Sequence, residues 1–185
     1  VETAVTNKKN ELSWMFSKEA FGLLMPNFAT VLRSPDDLNA RGSMLLGAAM
    51  AGCAIEASML GAAHSTANPL TAYFDIVHGQ AVGMMLPHVV RFNGEIEECR
   101  TAYSKLLDFG KLGQAENASD NTELLAKHLA KLLELADMPV TLQASGVEEA
   151  KLPLLAEEAS GQWTANFNPR KAGQAEMESI YRAAF

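Results

Sequence analysis

The chain of 185 residues has the length of one domain and is long enough to bury a sizeable core. Hydrophobic residues make up 48% of it and charged residues 20%, proportions of a globular protein that exclude a disordered one. The net charge of −7 and the lack of a Lys/Arg-rich stretch argue against nucleic-acid binding, which needs a basic face.

The first ten residues contain no apolar signal core, and they lack an initiating methionine, which indicates a processed or excised piece. The two cysteines, Cys53 and Cys99, lie far apart and have no metal-type spacing. Cys53 stands in an apolar run and is predicted to be a small buried hydrophobe. Because nothing in the sequence requires an oxidising compartment, we expect a cytoplasmic protein.

Helical periodicity begins at residue 10, where apolar residues repeat at three- and four-residue steps up to residue 33. Pro26 should kink or divide this segment, because an interior proline removes a helical hydrogen bond. Ser34 is a predicted N-cap, followed by a proline and two acidic residues that favour a helix start. The next helix is therefore predicted over residues 35–63.

The second half of that helix is rich in alanine and glycine, and Glu56 is its only charge between Ser43 and Ala63. A membrane span is excluded because the run is poor in leucine and isoleucine and has no basic flanks. Small residues let neighbouring helices approach closely. This segment is therefore predicted to be the central buried helix.

After it, Pro69 biases the preceding residue away from the helical region, so we predict an ordered turn rather than continuous helix between two buried helices. A second apolar helix follows over residues 80–92. Further helices are predicted over residues 94–109, with Asn93 as a cap, and over residues 122–136, 147–159 and 175–184. We find no strand, repeat or nucleotide-binding motif, and the predicted fold class is an all-α helical bundle.

Three of the four histidines lie in one segment, and His64 and His78 flank the predicted turn. Such a turn could aim two imidazoles at one metal ion. On spacing alone the alternative of two hydrogen-bonded core histidines stays open, because two imidazoles are too few for a closed divalent site. His88 is predicted to be structural or to support the site, His128 to be exposed, and Asp75 to stabilise the turn.

The pattern that begins at His64 is His-x-x-x-Asn-Pro-Leu-x(7)-His-Gly-x-Ala, and it continues into Leu-Pro-His-Val and Phe-Asn. It resembles the metal-site segment of the iron-containing (group III) alcohol dehydrogenases. The Asn-Pro-Arg turn at residues 168–170 and the ending Ile-Tyr-Arg-Ala-Ala at residues 180–184 are also similar to that family. The resemblance covers nearly the entire chain and implies the helical C-terminal domain of the dehydroquinate synthase-like superfamily over residues 1–185.

This resemblance implies that His64 and His78 bind a divalent metal, Fe²⁺ or Zn²⁺. The metal would act as a Lewis acid in the NAD- or NADP-linked interconversion of an alcohol and an aldehyde or ketone. The family's nucleotide-binding α/β domain is absent from residues 1–185, as are its two other ligands, an aspartate and a histidine four residues apart. The segment Val1-Glu2-Thr3-Ala4-Val5 resembles the residues that follow that histidine. We therefore expect an inactive isolated chain that works with its own N-terminal domain and forms a homo-oligomer.

Asn68 departs from the family pattern, because many members carry a histidine near the nicotinamide at this position. The resemblance implies a place for Asn68 beside the cofactor, but an amide cannot relay a proton near neutral pH. Two alternatives remain. One is another superfamily enzyme, such as a glycerol dehydrogenase or maleylacetate reductase, although the Pro-Leu-x(7)-His-Gly segment favours the alcohol dehydrogenases. The other is a stand-alone helical interaction module whose two histidines are structural.

Overall fold

Eight α-helices and no strands form the structure, a computed structural model that describes residues 1–185. The helices are α1 (Glu11–Arg33), α2 (Leu38–Ser58), α3 (Ala62–Phe74), α4 (His78–Asn93), α5 (Glu97–Phe109), α6 (Ala118–Leu135), α7 (Leu152–Gly161) and α8 (Gln174–Ala184). Short 3-10 turns lie at Glu2–Ala4, Gln143–Ser145, Glu149–Lys151 and Trp163–Phe167. The predicted all-α fold is confirmed.

The buried side chains form two clusters that meet at α4. The first joins α3, α4, α7 and α8 and includes Leu70, Met84 and Tyr181. The second joins the N-terminal segment, α1, α5 and α6, and Val90 of α4 belongs to it. Because successive residues of α4 face both clusters, this helix is buried along much of its length. Its first residue, His78, is exposed, but the helix that carries it packs on both clusters.

The prediction that the Ala/Gly-rich helix is central and buried is wrong. Helix α2 packs mainly against α1 at the edge of the molecule, and Leu38 and Leu45 are 80% and 71% exposed. Cys53 is also exposed, contrary to its predicted burial. The small residues do allow close approach, since a Cβ on Gly47 would lie 2.8 Å from Leu24 Cγ of α1. Close packing on one neighbour leaves the opposite face of the helix uncovered.

No single helix is long and apolar enough to cross a membrane; α2 and α3 meet that criterion only together, and the pair is bent by 108°. The bend follows Ser58, where Met59 adopts a positive φ of 77°. The start of α2 also differs from the prediction. Asp37 is its N-cap and accepts hydrogen bonds from the N–H groups of Asn39 and Ala40 at 2.9 and 3.0 Å, whereas Ser34 ends α1.

Contrary to the predicted turn, α3 runs as one helix through Pro69 from Ala62 to Phe74. Helices α1 and α4 likewise continue through their interior prolines. The bias of a proline is local, and buried contacts along α3 outweigh it. The chain reverses instead at Asp75, whose φ of 53° is left-handed, a conformation that aspartate adopts more readily than most residues. Asp75 thus has the turn role predicted for it.

Candidate metal centre

His64 and His78 come from the two helices on either side of this reversal. His64 lies in the first turn of α3, and His78 is the first residue of α4. Their ring centroids are 5.4 Å apart, with the ring planes inclined at 55°. The His64 side chain is 21% exposed and His78 is exposed, so both rings can be reached from solvent. The reversal at Asp75–Val77 brings together two histidines that lie fourteen positions apart in the sequence.

The spacing of the two rings fits a shared metal ion. With metal–nitrogen distances of about 2.1 Å and tetrahedral ligation, the centroids of two imidazoles lie about 5 Å apart. The observed 5.4 Å is close to that value. No group of three or more His, Cys, Asp or Glu side chains is arranged to hold a metal ion, so these two histidines alone do not form a complete ligand set.

The first turn of α3 is capped by residues that are distant in sequence. Gly61, its N-cap, has no side chain that could accept a hydrogen bond. The carboxylate of Glu2 accepts from the N–H groups of Gly61 and Ala63 at 3.1 and 2.8 Å through Oε1. Its Oε2 is hydrogen-bonded to Nδ1 of His64. A negative charge at a helix N-terminus is also favoured by the helix dipole.

Asn168 completes the capping of this turn. Its Oδ1 accepts from the N–H of Ala62 at 3.2 Å and from Nδ2 of Asn93 at 3.0 Å. Its Nδ2 donates to Oδ1 of Asn93 at 2.8 Å and to the carbonyl of Arg170 at 2.7 Å. The Asn-Pro-Arg turn thereby ties the start of α3 to the end of α4.

Asn68 lies one helical turn after His64 and is partly buried. Its Nδ2 donates to Oε1 of Gln162 at 3.0 Å, at the end of α7. This contact fixes the orientation of the amide and leaves its Oδ1 as a free acceptor. The predicted cofactor-side residue therefore lies on the His64 face of α3.

The other two histidines lie away from this pair. His88 is half-buried on α4, where burial and then the positive charge of Arg91 lower its pKa to about 4. His128 was predicted to be exposed, but it is half-buried, and its Nε2 lies 3.2 Å from the carbonyl oxygen of Leu112. Neither histidine joins the metal-site candidates.

A small cavity of about 160 Å³ adjoins His64. Most of its lining is apolar and comes from α2, the segment between α2 and α3, α4 and the N-terminus: Val1, Ala51, Ile55, Leu60, Val82 and Leu86, with Thr3 and Glu2 beside them. Of the two imidazoles only His64 lines this cavity, and its apolar walls could hold a short alkyl group.

Sequence reasoning missed Glu2 and the role of Asn168. Glu2 contacts a histidine 62 residues away, and Asn168 contacts Asn93 across 75 residues. No local pattern encodes such contacts. The only signal in the sequence was the resemblance of both segments to the family, and this resemblance does not indicate what the two side chains contact.

The family of the chain follows from comparisons with known proteins. The sequence profile described as "Fe-containing alcohol dehydrogenase family, C-terminal" matches residues 1–185. The 1,3-propanediol dehydrogenase of Citrobacter freundii is 30% identical over 186 residues, covering 100% of this chain and 48% of that protein. The NADPH-dependent butanol dehydrogenase of Clostridium saccharobutylicum is 32% identical over 155 residues, covering 80% of this chain and 39% of that protein.

Solved structures agree with the sequence comparisons. A crystal structure of 1,3-propanediol oxidoreductase superposes with a TM-score of 0.94 at 26% identity, covering 100% of this chain and 48% of that one. The chain thus spans about half the length of the 1,3-propanediol dehydrogenase relative. Profile, relatives and fold together assign the chain to the iron-containing alcohol dehydrogenase family, in which it corresponds to the helical C-terminal domain.

Proposed function

We propose that this chain is the metal-binding half of an NAD(P)-linked alcohol dehydrogenase, with His64 and His78 as two ligands of a divalent ion. The observation that carries the proposal is the convergence of the two rings at 5.4 Å beside an apolar cavity. Neutral imidazole suits both Fe²⁺ and Zn²⁺. The remaining ligands, an aspartate and a histidine, would precede Val1.

In this mechanism each part of the chain has a separate task. When bound, the metal supplies Lewis acidity that lowers the pKa of the substrate hydroxyl. His64 and His78 hold it, and the apolar walls formed by Ile55 and Leu86 exclude water and accept the alkyl part of the substrate. Asn68 can orient cofactor or substrate by hydrogen bonding, but its amide does not carry a proton near neutral pH. The proton must therefore leave by another group or by water.

The apolar cavity beside His64 supports a short aliphatic alcohol or aldehyde as the substrate. Its mostly apolar lining suits an alkyl chain better than a sugar or a carboxylic acid. Two of the relatives are named for 1,3-propanediol and butanol, which are short alcohols. This favours an alcohol dehydrogenase over a maleylacetate reductase, whose substrate is a dianion.

The proposal also requires partners. NAD or NADP would be held by an α/β half that covers the face around His64, Asn68 and His78. Val77, which directly precedes His78, is 71% exposed, and such a half would cover it. A homo-oligomer would cover the exposed apolar side of α2. Light scattering on the 185-residue chain should show association, and a monomer at high concentration would contradict this part of the proposal.

Metal titration of the purified chain tests the ligand assignment. Zn²⁺ should bind weakly, because two imidazoles lack the chelate advantage of a complete set. His64→Ala and His78→Ala should each abolish binding, while His128→Ala on α6, where the ring contacts the carbonyl of Leu112, should leave it unchanged. Stoichiometric metal that survives dialysis against a mild chelator, or binding that persists in both alanine variants, would refute the assignment.

Activity tests the rest of the proposal. The 185-residue chain alone should produce no NADH or NADPH from short alcohols, because no segment of it can hold a nicotinamide cofactor. The longer protein with an α/β half should reduce the cofactor with short alcohols and not with glycerol. A longer protein that holds no metal and converts no alcohol, glycerol or maleylacetate would favour the interaction-module alternative.

A further inference from the structure

We propose that Glu2 is a positioning residue for the metal site, whose carboxylate fixes the tautomer and orientation of His64 so that Nε2 is the nitrogen offered to the ion. This inference rests on the proposed function, because it needs His64 to be a ligand. Nothing in the sequence comparisons assigns a role to Glu2. The structure assigns it through three contacts of a single buried side chain.

The first step is that the Glu2 carboxylate is itself immobile. Glu2 is only 6% exposed, so water does not compete for its oxygens. Its Oε1 is held by two backbone donors, the N–H groups of Gly61 and Ala63, at 3.1 and 2.8 Å. Both donors belong to the start of α3, the helix that carries His64. The carboxylate and the imidazole are therefore fixed to the same backbone.

The second step concerns the proton on His64. A neutral imidazole carries one N–H, and an ionised carboxylate can only accept a hydrogen bond. Because Oε2 of Glu2 is bonded to Nδ1 of His64, the proton lies on Nδ1 and the lone pair on Nε2. Hydrogen bonding of a ligand's second nitrogen to a carboxylate also raises its basicity and fixes its ring plane. The free nitrogen is thus prepared for a metal before any ion binds.

A role in capping alone is the competing explanation, and a glutamine separates the two. In Glu2→Gln the two backbone donors still require an oxygen, so the amide oxygen faces Gly61 and Ala63 as Oε1 does now. The amide NH₂ then faces Nδ1 of His64 as a donor. His64 can accept this hydrogen bond only by moving its proton to Nε2, which removes the metal-binding lone pair. The cap is preserved while the tautomer is reversed.

The matched control is Glu176→Gln. Glu176 is also a capping carboxylate, since its Oε2 accepts from the N–H of Gly173 at 2.9 Å at the start of α8. It has no histidine partner. If losing a helix-capping charge were enough to weaken Zn²⁺ binding, both variants would bind more weakly. If Glu2 positions His64, only Glu2→Gln should bind more weakly.

The experiment combines two measurements on the 185-residue chain. Long-range ¹H–¹⁵N spectra of the metal-free protein, at about pH 8 where an ordinary imidazole is neutral, identify the protonated nitrogen of His64. Competition with a chromophoric chelator gives the Zn²⁺ affinity. We expect the proton on Nδ1 in the unmodified chain and on Nε2 in Glu2→Gln. The affinity of Glu2→Gln should be about 10–100-fold weaker, with Glu176→Gln unchanged.

The outcomes separate this inference from the proposed function. If His64→Ala abolishes Zn²⁺ binding but Glu2→Gln, folded by circular dichroism, binds as the unmodified chain does, the positioning role is overturned and the ligand assignment stands. If His64→Ala binds Zn²⁺ unchanged, the proposed function fails first. If Glu2→Gln does not fold, the tautomer of the unmodified chain decides, because a proton on Nε2 overturns the positioning role without any variant.

Discussion

Replacing Asn168 by alanine should lower the free energy of unfolding by about 3–5 kcal/mol, an effect usual for a large core residue rather than for an asparagine in a turn. The side chain is 5% exposed and makes four hydrogen bonds of 2.7 to 3.2 Å. Two of them form a reciprocal amide pair with Asn93, which is 1% exposed. The other two bind the first turn of α3 and the carbonyl of Arg170.

The magnitude follows from these contacts. Each hydrogen bond contributes about 0.5–1.5 kcal/mol net, so four of them contribute about 2–6 kcal/mol. The truncation also leaves both polar atoms of Asn93 without their partner, and each buried unpaired group costs about 1–3 kcal/mol unless water enters. Water entering the vacated space would recover part of this cost. We therefore expect a loss of about 3–5 kcal/mol, which is the middle of the range given by the four hydrogen bonds.

Urea denaturation followed by circular dichroism measures the change. Asn166→Ala is the matched control, since this asparagine lies two positions earlier and is exposed. Its effect should stay within about 0.5 kcal/mol. The double variant with Asn93→Ala should be less destabilised than the sum of the single variants by about 1–3 kcal/mol, because both lose the same pair. A loss below about 1 kcal/mol for Asn168→Ala, or strict additivity, would refute the reasoning.

Gly52→Ala in α2 should stabilise the chain by up to about 1 kcal/mol, because a Cβ there meets nothing within 4 Å. Gly47→Ala should destabilise the chain, because a Cβ there would clash with Leu24 of α1. Thermal unfolding measures both, and melting temperatures that shift in the same direction would contradict this. The pKa of His88 is about 4 in the folded chain, below the ordinary value of 6.5, so the unfolded chain binds a proton at this histidine more readily. The free energy of unfolding should therefore fall as the pH drops from about 6.5 to about 4. In His88→Asn the midpoint of urea denaturation should change less with pH over that window than in the unmodified chain. A thiol reagent should label Cys53 in the folded chain, because this cysteine is exposed. It should label Cys99 only after unfolding, because Cys99 is buried and burial raises the pKa of its thiol to about 11.

Most of the helices were readable from the sequence, but their surroundings were not. Apolar periodicity and capping residues depend on neighbours within a few positions. The predicted helices exist, with ends shifted by up to five residues, but α3 was predicted as a turn. Burial of α2 depends on how many other helices pack on it. An Ala/Gly-rich composition indicates only that one close neighbour is possible, and here that neighbour is mainly α1. Pro69 likewise acts on one peptide unit, while the contacts that keep α3 straight come from other segments.

The candidate site divides in the same way. His64, Asn68 and His78 were found because a short segment carries all three, and the family resemblance gave them meaning. Glu2 stands in a stretch that resembles the family, but its partner lies 62 residues away. Physical reasoning on one sequence recovers candidate ligands that cluster locally. It does not recover the side chains that hold them in place when the chain must fold to bring them there.

Those distant side chains explain how two partly exposed imidazoles can be held rigidly. Helix α3 is fixed at its start by Glu2 and Asn168, and one turn later the hydroxyl of buried Tyr181 donates to the carbonyl of Thr66 at 2.6 Å. His64 lies between these anchors. On the other side of the reversal, Ile76, two residues before His78, is buried in the first cluster. The backbone that carries both rings is therefore fixed by buried contacts while the rings stay accessible, as the proposed metal site, completed by a second domain, would require.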